Sequence, residues 1–232
     1  MLSLLRNLQY KLTLSDHREL LRCILKLLEP NVNATLLDIG CNDGSKTIEF
    51  AKKIGTKTVY GIEIIDKNIK SANEKGIETI KHDIEDGLPF ENDIFDVIVS
   101  NQVIEHLINT DTFCETIFRV LKKGGYSIIA TENISYYASI FALLLGYQAF
   151  SQNISDRFHV GNPLSSFSGK ELTDKFSTHK RIFSIRGLPA LLEKYGFKIE
   201  AVLGAGFAPL PSFFSRINKI HSRFIIVKAR KP

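Results

Sequence analysis

The chain has 232 residues, 44% of them hydrophobic, and a net charge of +5. That length suits a single α/β domain with a sizeable core. The three scattered cysteines exclude a disulfide framework and a thiolate metal cluster, no stretch approaches the roughly 20 apolar residues of a membrane span, and no Lys/Arg run with interleaved aromatics marks a nucleic-acid binder.

The start reads as no signal peptide, because Met1–Leu5 is soon followed by Arg6, Gln9 and Lys11. With reduced cysteines, this makes a cytoplasmic location the expectation. Charge is uneven. Residues 156–232 carry 14 Lys and Arg against 5 Asp and Glu, net +9; residues 1–155 carry 16 against 20, net −4. A basic C-terminal third suits an anionic acceptor, a phosphate-bearing carrier or a membrane surface. A solvated basic face without a partner fits equally well.

Residues 16–29 predict an amphipathic helix, with Leu20, Leu21, Ile24, Leu25 and Leu28 apolar and Ser15 or Asp16 as N-cap. A buried strand begins at Ala34 and runs through Leu36-Leu37-Asp38-Ile39. The turn Gly40-Cys41-Asn42-Asp43-Gly44 follows. Its glycines permit a sharp reversal and close approach of a ligand to the backbone. The spacing is G-x-x-x-G, not the G-x-G-x-x-G of a dinucleotide fold, and Asp43 inside the turn would repel a pyrophosphate. A cationic or zwitterionic ligand suits it better. Cys41 reads as a small space-filling residue. A helix over 46–53 comes next, then a strand, Thr58–Ile62, ending at Glu63. A carboxylate at that tip can accept both hydroxyls of a ribose, at about the spacing expected of a Rossmann-like unit.

A helix over 66–75 leads to strand Glu78–Lys81 and to His82-Asp83-Ile84. Strand Phe95–Ser100 runs into Asn101-Gln102-Val103-Ile104-Glu105-His106-Leu107. A helix over 112–122 is stopped by Gly124-Gly125, and strand Tyr126–Thr131 follows. The alternation predicts a parallel sheet with crossovers. Residues 136–150 predict an apolar helix, either a lid over the sheet's carboxyl edge or an ordinary core helix. Residues 151–184 show no period, and a long irregular segment of this kind is usually functional. A helix over 187–195, a strand over 197–203, a Pro-containing turn through Pro211 and a strand over 223–229 close the chain.

The LLDIGCNDG turn, Glu63, Asp83 and FDVIVSNQVIEHL, in this order at successive strand tips, resemble the motifs of class I S-adenosylmethionine-dependent methyltransferases. The resemblance covers residues 34–132 strongly and the rest in outline. It implies a seven-stranded, mostly parallel Rossmann-like α/β sheet with helices on both faces, the last strand antiparallel and an insertion after strand five. It divides a single domain into an N-terminal helical segment (1–33), a cofactor-binding core (34–132), an acceptor-side lid (133–186) and a C-terminal helix and hairpin (187–232). The implied cofactor is S-adenosyl-L-methionine. At the turn its residues are Asp38, Gly40, Asn42 and Gly44; at the second strand, Glu63 and Ile64. Asp83 would meet the adenine amino group, Ile84 its ring, and Asn101 and Gln102 the donor methyl. The implied reaction is O- or N-methylation of a small-molecule, sugar- or lipid-linked acceptor, with peripheral membrane contact compatible. His106 is the first candidate general base for an oxygen acceptor and His159 the second.

Some quinone-pathway O-methyltransferases carry Glu-x-x-Glu-His after strand four as magnesium ligands. Here Gln102 replaces the first carboxylate, so no metal is expected, although Glu105 and His106 alone could make a poor site. Two other readings compete: a protein that binds the cofactor without turnover, and an NAD-dependent oxidoreductase, which the glycine spacing disfavours.

Overall fold

The structure, a computed structural model, describes residues 2–172, 178–207, 210–211 and 214–232, with side chains from residue 11 onward. Its centre is one seven-stranded sheet. The strands are β1 (Thr35–Ile39), β2 (Thr58–Glu63), β3 (Glu78–Lys81), β4 (Phe95–Asn101), β5 (Leu121–Glu132), β6 (Lys198–Ala205) and β7 (Phe224–Arg230). Their spatial order is 3-2-1-4-5-7-6. Strands β1 to β5 pair in parallel, and β7 lies antiparallel between β5 and β6.

Successive side chains of a strand face opposite sides, and both sides here are apolar. Leu36, Val97, Val99, Ile128, Phe224 and Ile226 join one core cluster. Leu37, Ile39, Ile98, Ile129, Ile225 and Val227 join the other. This is the near-continuous hydrophobicity of a sheet covered on both faces. The helices α1 (Leu2–Leu27), α2 (Ser45–Ile54) and α3 (Asp66–Glu74) cover the first face. The helices α4 (Thr110–Val120) and α6 (Gly187–Lys194) cover the second; between them in sequence comes α5 (Tyr137–Leu144). A short α7 (Phe214–Ile217), absent from the sequence expectation, precedes β7.

Three boundaries differ from expectation. The first helix does not start at residue 16 but runs through it. Asp16 is buried, with its carboxylate 3.8 Å from the Arg223 guanidinium, so an acid that reads as an N-cap is held mid-helix by a charge on a distant element. Gly124 and Gly125 do not stop α4, which ends at Val120. They lie inside β5, where register with β4 shifts between Phe95 and Val97. A Cβ on Gly125 would come within 3.1 Å of the Phe95 and Asp96 carbonyls. The apolar stretch after β5 forms only eight helical residues. Gly146, at φ 78°, turns the chain, and Tyr147 N–H bonds back to the Ala142 carbonyl at 2.9 Å. The irregular segment expected over 151–184 is irregular as described, although residues 173–177 lie outside the described residues, as do 208–209 of the turn before Pro211.

The basic C-terminal third places part of its charge in ion pairs within the chain. Arg223 faces Asp16 and Glu132, Lys228 and Arg230 face Glu29 and Glu200, Lys231 faces Asp93, and Lys180 faces Asp156. All but the last two pairs tie β7, or Arg223 just before it, to other parts of the chain.

Phe113, fully buried in the second core cluster, tests this packing against the mostly exposed Phe141 of α5. Phe113→Ala should lower the unfolding free energy in urea by about 3–5 kcal/mol, whereas Phe141→Ala should stay within about 0.5 kcal/mol of the parent. Equal losses would mean that α5 is core.

Candidate active site

The strand order reverses between β1 and β4, and a crevice opens outside their carboxyl ends, as it does at switch points of open α/β sheets. A cavity of about 760 Å³ occupies it. Every expected cofactor residue except Gly44 lines this cavity: Asp38, Gly40, Asn42, Glu63, Ile64, Asp83, Ile84, Asn101 and Gln102. Gly44 acts from behind. At φ 79° it caps α2, and a Cβ there would meet Ile77 at 2.5 Å. Gly40, at φ 72°, leaves room for Val103, which a Cβ would approach to 2.6 Å.

Glu63 is mostly buried and rigidly placed. One oxygen accepts the Asn42 N–H at 2.9 Å; the other accepts the N–H groups of Ile64 at 2.8 Å and Ile65 at 3.0 Å. It therefore ties the glycine turn to the tip of β2. Asp38 has a different part. It is buried, accepts the Thr47 hydroxyl at 2.5 Å, and burial pushes its carboxyl up to about 7. Asp43, in the same turn, also lines the cavity. It accepts the Ser45 N–H at 3.1 Å and hydroxyl at 2.7 Å, and Lys75 lies 3.4 Å away. The Ser45 bonds hold its carboxyl below the usual range. Cys41 is buried and its thiol is pushed up to about 12 by burial, which leaves it a filler. A Cβ on Gly61 would lie 2.7 Å from its sulfur.

At the tip of β4 two polar atoms wait without partners. Asn101 Oδ1 and Gln102 Nε2 are buried and have no hydrogen bond among the described residues. Gln102 is also held at φ 62°, in the left-handed region. Orphaned buried amides are rare, and these two line the crevice. A polar, cation-bearing nucleoside fits this lining: a fixed carboxylate at β2, unspent amides at β4, and an apolar strip at Ile62, Ile64 and Ile84.

A second cavity of about 540 Å³ lies beside the first. Gln102, His106 and His17 line both. His106 Nδ1 donates to the Thr178 carbonyl at 3.1 Å. His159 lines only the second cavity, its ring 5.3 Å from Phe167, and burial lowers its pKa. Both expected base candidates thus border one chamber. Three further residues were missed by the sequence reading. His179 lines the second cavity. Lys180 reaches the first, and its main-chain N–H donates to the Glu105 carbonyl at 2.7 Å. Glu85 accepts the N–H groups of Ile108 at 2.6 Å and Asn109 at 3.0 Å, fixing the loop after β4. These contacts join segments far apart in the chain, where no local pattern records them.

Comparison with known proteins gives the same picture. A family model described as a methyltransferase domain matches residues 30–177, more than half of the chain. The human mitochondrial ubiquinone biosynthesis O-methyltransferase is 26% identical over 195 residues, covering 80% of this chain and 47% of the relative. The ubiquinone biosynthesis O-methyltransferase of Bartonella tribocorum is 30% identical over 209 residues, covering 88% and 76%. The chain thus spans about half the length of the human relative. Among solved structures, an S-adenosylmethionine dependent methyltransferase from Mesorhizobium loti superposes with a TM-score of 0.59 at 19% identity, covering 89% of this chain and 95% of that one. By the match over residues 30–177, the chain belongs to the methyltransferase-domain family, among the class I S-adenosylmethionine-dependent methyltransferases.

Proposed function

We propose that the protein methylates an oxygen of a small-molecule acceptor held in the second cavity. The observation that carries this reading is the meeting of the two cavities at Gln102 and His106. Bound S-adenosylmethionine supplies an electrophilic methyl carbon on its sulfonium. Glu63 would hold the ribose hydroxyls, Asp83 and Ile84 the adenine, and Asn101 and Gln102 the methionine end nearest β4. Fixing donor and acceptor in line supplies much of the rate. An oxygen acceptor also has a proton to lose. His106 borders both chambers, and its Nδ1–H is engaged by Thr178, which presents Nε2 as the basic nitrogen. His159, its pKa lowered by burial, faces the acceptor chamber alone. The O-methyltransferase names of the sequence relatives support an oxygen over a nitrogen acceptor.

A lipid-linked acceptor fits the surface nearby. On and just after α5, Leu144 is 79% exposed, Phe141 59% and Leu145 53%. The same segment leads directly into Ala149 and Phe150, which line the acceptor cavity. Exposed apolar groups gathered in this way mark an interaction site.

Calorimetry tests the donor. S-adenosylmethionine and S-adenosylhomocysteine should bind at micromolar levels and NAD should not. Glu63→Ala should weaken both by about 10- to 100-fold, the cost of a charged hydrogen-bonding site. NAD binding in place of the adenosyl ligands would end the methyltransferase reading.

Turnover tests the junction. In an acceptor screen, His106→Ala should lower kcat by about 100-fold or more while S-adenosylmethionine affinity stays within about threefold. His159→Ala should cost less. Full activity in His106→Ala removes that residue from the proton step.

Sedimentation tests the surface. The protein should pellet with phosphatidylglycerol vesicles, and the double variant Phe141→Glu, Leu144→Glu should bind them about 100-fold less, as loss of two apolar insertions implies. A wild-type protein that stays in the supernatant refutes the membrane contact.

A further inference from the structure

The tip of β4 continues into a single 3-10 turn, Ile104–His106. Such a turn spreads successive side chains in different directions. Glu105 goes inward and is 2% exposed. One carboxylate oxygen accepts the Thr131 hydroxyl at 2.8 Å. The other, Oε1, is buried and has no hydrogen-bond partner among the described residues. An acid with one oxygen unsatisfied in the interior is a costly arrangement unless something cationic meets it.

Two imidazoles lie near the Glu105 carboxylate. The insertion returns to the turn through main-chain bonds from Lys180 N–H at 2.7 Å and Arg181 N–H at 3.0 Å to the Glu105 carbonyl. This return places the ring of His179 4.9 Å from that of His106, with 64° between their planes. Each ring is oriented by the same device. His106 Nδ1 donates to the Thr178 carbonyl at 3.1 Å, and His179 Nδ1 donates to the Ser151 carbonyl at 2.7 Å. A backbone carbonyl on Nδ1 fixes the tautomer with the lone pair on Nε2, the usual setting of a metal-binding histidine. One donor atom from each of Glu105, His106 and His179 lies within 4.8 Å of the others.

The donor set decides which ion fits. Magnesium wants an octahedron of oxygens, several of them charged or water. Gln102, standing where the quinone-pathway pattern has a glutamate, removes one carboxylate, and the third donor is an imidazole from the insertion. The pattern therefore does not fit magnesium. Two imidazoles and one carboxylate fit zinc and its borderline neighbours, as a three-ligand site with a fourth position open.

We propose that Glu105, His106 and His179 bind one divalent transition-metal ion of the zinc type, with the open position facing the acceptor cavity. Bonds of 2.0–2.1 Å in a tetrahedron set donors about 3.3 Å apart, so side-chain rotation closes the 4.8 Å set onto the ion. The ion gives Glu105 Oε1 its partner and clamps the insertion to the β4 turn. If the methyl-transfer reading holds, an acceptor hydroxyl at the open position sheds its proton more readily beside such an ion. In the metal-loaded protein Nε2 of His106 is a ligand and the proton passes to His159 in the same chamber; the base role of His106 is that of the metal-free protein.

The test uses the full chain without a histidine tag, stripped with EDTA and dialysed. Co²⁺ serves as the spectroscopic probe, Zn²⁺ as the competitor and Mg²⁺ as the control. One equivalent of Co²⁺ should bind and give the intense visible bands of a four- or five-coordinate site. Zn²⁺ should displace it, and Mg²⁺ should not. Glu105→Gln and, separately, His179→Gln should weaken Co²⁺ binding by about 10- to 100-fold or more. S-adenosylmethionine affinity, read in the same variants, reports that the fold is intact. Absence of stoichiometric Co²⁺ binding to the folded protein, unchanged binding in both variants, or displacement by Mg²⁺ overturns the proposal. Metal binding is read without turnover, so an acceptor screen that finds no methyl transfer bears on the function alone.

Discussion

Everything in this molecule depends on the ladder between β1 and β4. Leu36 pairs with Val97 and Ile39 with Ser100 in parallel register. These strands are far apart in sequence, yet their carboxyl ends finish side by side. The glycine turn after Ile39 and the Asn101-Gln102 pair therefore face each other across one crevice. A slip of one residue would exchange the two faces of the strand. It would carry Leu37 and Ile39 to the wrong core and Asp38 away from Thr47. Two hydrophobic faces forbid that slip, so the same packing that stabilises the sheet also sets the register of the site.

The far edge of the sheet shows a different economy of charge. The acidic first two-thirds and the basic last third meet in ion pairs, with Lys228 buried beside Glu29 and Glu200 and stacked over Tyr126 at 4.3 Å. A buried cation needs such company. Part of the charge that reads in sequence as an invitation to an outside partner is complementarity within the chain: among the described residues, five of the 14 basic side chains of 156–232 make ion pairs. On the acceptor side the exposed residues on and beyond α5 are apolar, and Lys170 lines the cavity without an ion pair among the described residues.

The core was legible where signals are local. A buried strand, a glycine pair and an acid at the next strand tip lie within 30 residues, and the structure brings Gly40, Asn42 and Glu63 together as their spacing implied. The alternation of strands and helices gave the sheet, and both base candidates reached one chamber. Legibility ended where a residue's role is set by a distant partner. Asp16 reads as a cap until Arg223 is seen beside it. Asp43 reads only as an acid in the glycine turn until Ser45 and Lys75 are seen beside it. His179 carries no periodic or spacing signal; only the return of the insertion to Glu105 brings it to His106.

That return has one more consequence. The cover is fastened to the β4 turn through the amides of Lys180 and Arg181 and through the carbonyl of Thr178, which accepts from His106. On the cover's side, these three are main-chain attachments, indifferent to which side chains the residues bear. The rest of the insertion is thus free to change its lining without losing its seat. Such a scaffold separates heritable change in what enters the acceptor chamber from change in how the donor is held, and related chains can diverge in acceptor while keeping a single donor cleft.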